Sequence, residues 1–391
     1  MQLYPLPITA WSSTCALGST RDEIRAKLWA GETGLGAPPA WFPHQTRSGQ
    51  VTAELQAITG AQAGYDCRQS RIAMSVLEGV RAPIATATDR WGADRVAMVL
   101  GTSTGGIDRT EYALDVARET GELPRDYDMA LQHNFYAFLE LLKSEIGARG
   151  PSTIVSTACS SSAKVFASAA RLIAAGLADA VVVGGVDSLA KTTLFGFHSL
   201  NILASSLCRP FGADRPGINI GEGGALFLVE RSGTSNVWLR GVGESSDAHH
   251  MTSPHPEGRG AILAMERALK SAGMSPSDID HINAHGTGTA KNDASEAQAI
   301  VAFLGDKVPV VSTKGYTGHT LGAAGAIEAA IACIALEEQW IPTSLGADPV
   351  DPDVSAAINH ERREMRVRTV LSNSFGFGGN NAAVLLGGAP S

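Results

Sequence analysis

Cys159 lies in Ser156-Thr157-Ala158-Cys159-Ser160-Ser161-Ser162, between a β-branched run and an Ala-rich stretch whose apolar residues follow helical spacing toward Gly176. This order places the sulfur over a helix N-terminus, where free backbone N–H groups and the positive end of the helix dipole favour thiolate over thiol. A sharp strand-to-helix turn also presents a nucleophile at its tip. Taken alone, a cysteine among small residues is more often a buried structural thiol.

Three further segments carry chemistry. Asn283-Ala284-His285-Gly286-Thr287-Gly288-Thr289 sets a histidine at a strand end ahead of a tight loop with two hydroxyls suited to an amide-bearing ligand. Lys314-Gly315-Tyr316-Thr317-Gly318-His319 runs on to Gly325, and its glycines let backbone crowd a site that His319 can enter. Asn373-Ser374-Phe375-Gly376-Phe377-Gly378-Gly379-Asn380-Asn381 is a glycine-interrupted aromatic loop whose N–H groups could serve as oxyanion donors or as a gate, or be a plain strand bend. A Cys elbow with two Gly-flanked histidines supplies the parts of thiol-based acyl transfer.

The elements that position these segments recur in order. Pro7 to Ala10, running into Ser12 to Cys15, is echoed by Val237 to Arg240 running into Ser245 to Ala248. Val96 to Leu100, ending in Gly101-Thr102-Ser103-Thr104-Gly105-Gly106, is echoed by Ile279 to Ala284 ending in the His285 loop. Ile154 to Thr157 opens onto Cys159, as Val310 to Thr313 opens onto Lys314 and His319, and the Ala180 to Gly185 plan returns in Thr369 to Gly379. Two similar α/β halves follow, residues 1–232 with Cys159 and residues 233–391 with His285, Lys314 and His319. The continuous Val181-Val182-Val183 run between Ala/Gly-rich helices points to strands buried on both faces in a layered α/β architecture.

Composition bounds the rest. A chain of 391 residues, 44% apolar and 18% charged, is that of a folded α/β protein with a sizeable core. Its net charge of −8 argues against bulk attraction to nucleic acid or anionic membrane. With no apolar run long enough to span a bilayer and no basic n-region at the start, the chain reads as cytoplasmic. Five scattered cysteines without metal-ligand spacing suggest neither a disulfide framework nor a metal site, and leave one activated thiol.

With these motifs in hand, the sequence resembles the elongating β-ketoacyl-acyl carrier protein synthases, the Cys-His-His ketosynthases of the thiolase superfamily. The match runs through Thr157-Ala158-Cys159-Ser160, His285 to Thr289, Lys314 to Gly325 and Asn373 to Gly379. It continues through Arg209-Pro210-Phe211, Gly221-Glu222-Gly223 and Ser246-Asp247-Ala248, and so covers nearly the whole chain. The resemblance implies a thiolase-like fold of two duplicated halves in five αβαβα layers, working as a homodimer or as a heterodimer with a chain-length partner. It implies no cofactor beyond the phosphopantetheine arm of an acyl carrier protein, which delivers both substrates. Cys159 would take the acyl chain, and His285 and His319 would act on the malonyl half-reaction rather than on acyl transfer. The oxyanion hole would be the N–H groups of Cys159 and Phe377, with Thr287 and Thr289 on the pantetheine amides and Phe375 against the substrate. Lys314 would order the site, paired with Glu296.

Further expectations follow from the resemblance. Because carrier proteins are acidic, Arg68, Arg71 and Arg125 are the candidates for docking one. Thr104, in the loop that the repeat sets opposite the histidine loop, is expected to line the acyl pocket and set chain length. Departures from the family pattern occur at Asn380, where Thr is common, at Leu3 to Pro7, at Trp11, and in the short loop before Arg209. They leave room for a specialised polyketide or polyene synthase beside fatty acid synthesis. A biosynthetic thiolase would need a second cysteine in the Phe375 loop, which has none, and a non-catalytic chain-length partner would lack Cys159.

Overall fold

The computed structural model describes residues 3–390. Ten strands make its main sheet: β1 (Leu6–Cys15), β2 (Val96–Gly101), β3 (Ser152–Val155), β4 (Ala180–Asp187), β5 (Gly223–Glu230), β6 (Trp238–Ser246), β7 (His281–Asn283), β8 (Val310–Val311), β9 (Thr369–Gly376) and β10 (Asn380–Gly387). The first five are ordered β3-β2-β4-β5-β1 and the second five β8-β7-β9-β10-β6. In both sets the second strand runs parallel to its two neighbours, and the fifth and first pair antiparallel. Equal order and equal sense make the two halves structural duplicates. They join along one seam, where Leu6 pairs with Leu239 and Pro7 with Trp238.

Strand periodicity sorts the side chains into layers, because successive residues point to opposite faces. Val181 and Val183 pack inward with Val370 and Val384 of the other half, against helices α4 (Ser161–Ala174) and α7 (Ala324–Glu338). Val182 and Met98 face outward onto α1 (Arg68–Glu78), α2 (Arg81–Trp91) and α3 (Ala137–Ile146). Leu371 and Leu385 face outward onto α5 (Arg259–Ala272) and α6 (Ala290–Leu304). The resulting stack is helix, sheet, helix, sheet, helix, which is the five-layered α/β arrangement expected of the fold.

The middle layer explains the Ala/Gly-rich sequence. Every residue of α7 from Ala324 to Leu336 is buried, since both sides of the helix meet a sheet. A Cβ on Gly325 would lie 2.8 Å from the backbone nitrogen of Ala163, so only glycine lets the starts of α4 and α7 come together. That crossing brings the Cys159 elbow of one half beside the His319 segment of the other. No helix among the described residues is long and apolar enough to cross a membrane.

Candidate active site

Cys159 follows Ala158, whose φ of 52° puts a non-glycine residue in the left-handed region. Such a conformation costs about 1 kcal/mol or more and must be held by its surroundings. Ser161 holds it: its Oγ donates to the Ala158 carbonyl at 2.6 Å and accepts the Thr157 N–H at 2.9 Å. Ser160 stands at the N-terminal boundary of α4 with its hydroxyl donating back to the Thr157 carbonyl at 2.9 Å. Cys159 stands on the expected strand-to-helix turn.

The second half supplies the rest of the cluster. His319 Nε2 lies 2.9 Å from Cys159 Sγ, and the His285 and His319 rings stand nearly perpendicular with centroids 5.3 Å apart. The sulfur and one nitrogen of each imidazole lie within 4.8 Å of one another. A cation at this triangle would face the ammonium of Lys314, whose Nζ is 3.4 Å from His285 Nδ1. Both expected histidines thus stand beside the sulfur, and His319 is in hydrogen-bond contact with it.

The His285 loop is wrapped around two buried carboxylates of α6. Glu296 accepts the N–H groups of His285 and Gly286 at 2.8 and 2.7 Å. Asp293 accepts those of Thr287 at 2.9 Å and Gly288 at 3.2 Å, and also that of Phe211 at 2.8 Å. The pairing of Lys314 with Glu296 is therefore overturned. Both Glu296 oxygens are occupied by backbone donors, and Lys314 Nζ instead pairs with Glu328 of α7 while donating to the His285 carbonyl. Glu328, Asp293 and Asp187 were not singled out from sequence, although Glu328 is the one charged residue in the apolar run from Ala324 to Leu336.

Burial sets the protonation states. It pushes both imidazoles well below their usual range, with Lys314 adding to the shift, so each is neutral near pH 7. It pushes the Cys159 thiol up to about 11, against the opposing pull of Lys314 and of hydrogen bonding from the Phe377 backbone. The expectation that the helix terminus alone would favour thiolate is thus corrected: desolvation outweighs it, and the resting group is a thiol beside a neutral acceptor. Burial likewise raises Glu296 to about 7 and raises Glu328 despite its lysine.

A cavity of about 460 Å³ opens onto this cluster and is lined by Cys159, His285, His319, Thr287, Thr289 and the aromatic loop. Within that loop the Phe375 ring is 5.9 Å from His285, and the Phe377 ring stacks on Phe197 at 5.8 Å. Thr104 is not part of the lining. Its hydroxyl donates to Asp187 at 2.9 Å, which turns it toward a buried carboxylate.

The docking candidates are corrected in part. Arg68 spends its guanidinium on the fully buried Glu222 and on the Val51 carbonyl, and Arg71 grips Asp66 with two nitrogens. The buried carboxylate of Glu222 needs such a partner, so Arg68 serves the fold, while Arg71 is paired with the half-buried Asp66, and neither guanidinium is free of a carboxylate. Arg125 is exposed.

Comparison with known proteins agrees with this site. The beta-ketoacyl synthase N-terminal domain matches residues 5–234 and its C-terminal domain residues 237–348. The 3-oxoacyl-[acyl-carrier-protein] synthase 2 of Coxiella burnetii is 32% identical, with 99% of each chain covered. Its namesake in Mycobacterium tuberculosis is 36% identical over 75% of each chain. Among solved structures, a ketosynthase (ApeO) in complex with its chain length factor (ApeC) from Xenorhabdus doucetiae is 37% identical, with a TM-score of 0.93 and 98% of each chain covered. A beta-ketoacyl synthase from Burkholderia phymatum is 28% identical, with a TM-score of 0.90 over the whole of both chains. With both family domains matched and a relative covered nearly from end to end, the chain belongs to the β-ketoacyl synthase family.

Proposed function

We propose that this β-ketoacyl synthase condenses an acyl thioester with malonyl-acyl carrier protein, releasing carbon dioxide and forming a β-ketoacyl carrier. The observation that carries this reading is the 2.9 Å contact between His319 Nε2 and Cys159 Sγ, beside His285 and Lys314, at a cavity reaching that cluster.

In the first half-reaction His319 takes the thiol proton as sulfur attacks the acyl thioester carbonyl. The carbonyl electrons move onto oxygen, which the N–H groups of Cys159 and Phe377 receive. Collapse forms the Cys159 thioester and expels the carrier's pantetheine thiolate, which takes the proton back from the imidazolium. In the second, the malonyl carboxylate leaves as carbon dioxide and its C–C electrons pass into the thioester enolate. Neutral imidazoles suit this step, since each donates one N–H to the enolate oxygen. The carbanion then forms the new C–C bond at the acyl carbonyl, and the Cys159 thiolate departs and takes one proton from solvent water. Lys314 holds the His285 carbonyl and is itself neutralised by Glu328, while Thr287 and Thr289 receive the pantetheine amides.

Residues 1–232 and 233–391 are the two ketosynthase halves in this reading, and the chain works in the cytoplasm with no cofactor beyond the pantetheine arm. Similarity to a ketosynthase solved in complex with its chain length factor favours a heterodimer with such a partner and a polyketide product, with a homodimeric fatty acid synthase as the second reading. Mass spectrometry of Cys159 after incubation with acyl carrier thioesters of graded length tests the proposal. Acyl adducts on Cys159 and condensation with malonyl carrier are expected. A folded protein that takes up no acyl group from any carrier would overturn it.

A further inference from the structure

Asp187 ends β4 with its side chain fully buried. Its oxygens accept from the hydroxyl of Thr102, from the N–H and hydroxyl of Ser103 at 3.0 and 2.7 Å, and from the N–H and hydroxyl of Thr104 at 3.2 and 2.9 Å. One further bond leaves the first half altogether: the Gly322 N–H donates to Oδ2 at 2.6 Å. Every one of these partners is a donor, so both oxygens act as acceptors, and these bonds oppose the rise in pKa that burial imposes on the carboxyl.

Gly322 closes the segment that begins at His319. At its start, the His319 N–H donates to the Asn219 carbonyl at 2.7 Å. Between the two anchors, Leu321 sits in the left-handed region with a φ of 55°, a conformation that must be held from outside. A Cβ on Gly322 would lie 2.7 Å from Asp187 Oδ2 and 2.6 Å from the Ser103 nitrogen, so the segment is pressed against the carboxylate cage with no space between. The imidazole carried by this segment is the one that touches the nucleophile.

We propose that Asp187 is a positioning residue, which reaches from the first half to grip the segment bearing His319 and so sets the contact between His319 and Cys159. The proposal rests on the reading of Cys159 as a nucleophile served by His319. It assigns to the buried carboxylate a role in the reaction that it exercises without touching substrate.

Alkylation of Cys159 by iodoacetamide in the full-length protein tests it, since this reaction needs no carrier substrate. Loss of condensation by the wild-type enzyme would sink the functional reading and leave the alkylation test intact. In the wild-type background D187N is expected to slow alkylation about tenfold or more, because a displacement near 1 Å at a reacting group has effects of that order or larger. In the H319A background the same substitution has no imidazole left to misplace and should change the rate by less than about twofold. Equal factors in the two backgrounds, or an unchanged rate in the first, would overturn the proposal. Should D187N fail to fold, G322A disturbs the same contact from the other side, and the same pair of outcomes decides.

Discussion

Glu296 offers a quantitative test of how the site is held together. Its carboxyl is fully buried and raised from 4.5 to about 7, with desolvation first and the backbone donors of Gly286 and His285 opposing it. Between those two values the folded chain keeps a proton that the unfolded chain has released, so stability falls as pH rises. The full span, at about 1.4 kcal/mol per pH unit, is about 3 kcal/mol, of which about 2 kcal/mol falls between pH 5.5 and 8. E296Q removes this titration and turns an amide N–H toward one of two backbone donors, an unsatisfied contact that costs about 1 to 3 kcal/mol. Urea denaturation of wild type and variant at pH 5.5, 7 and 8 reads both effects. The variant should be clearly the weaker at pH 5.5, and the gap should narrow by about 2 kcal/mol by pH 8. Other buried carboxyls titrate equally in both proteins and cancel in the difference. Parallel stability curves, with one constant gap at every pH, would refute the account of Glu296 as a desolvated carboxyl inside the His285 loop.

Three further outcomes are expected. H285A should lower malonyl decarboxylation by about 100-fold or more, as loss of one donor to a developing oxyanion does, while acylation of Cys159 proceeds; stopped-flow and mass-spectrometric rates separate the two. T104F should destabilise the protein by about 2 kcal/mol through overpacking and loss of its bond to Asp187, without narrowing the range of chain lengths made, as product profiling would show. R68E should destabilise by about 3 kcal/mol because it strands the buried Glu222, whereas R125E should raise the KM for carrier protein with unfolding midpoints unchanged; a KM effect of R68E in a fully stable protein would return Arg68 to the docking surface.

Much of the architecture was legible because it is written in local patterns. Glycine-ended β-branched runs mark strands that stop at a site, and their recurrence in order marks two halves. The nucleophile elbow was equally local, since Ala158, Cys159 and Ser160 are adjacent in the chain. Pairings across elements were less accessible. Lys314 has Glu296 and Glu328 at similar sequence distance, and only the approach of α7 from the opposite side decides between them. Arg68 looks like a surface cation until Glu222, 154 residues away, is found buried beneath it.

By itself the sequence determined which groups are gathered at the candidate site, because a thiol, two imidazoles and flexible glycine loops are properties of residue type and short-range spacing. Tertiary structure alone decided their states and partners. The thiol is protonated rather than ionised because burial on all sides outweighs one helix terminus. Thr104 turns to Asp187 rather than to the cavity because the end of β4 lies beside the end of β2. Desolvation and long-range pairing depend on what surrounds a group in three dimensions, and no window of neighbouring residues contains that information.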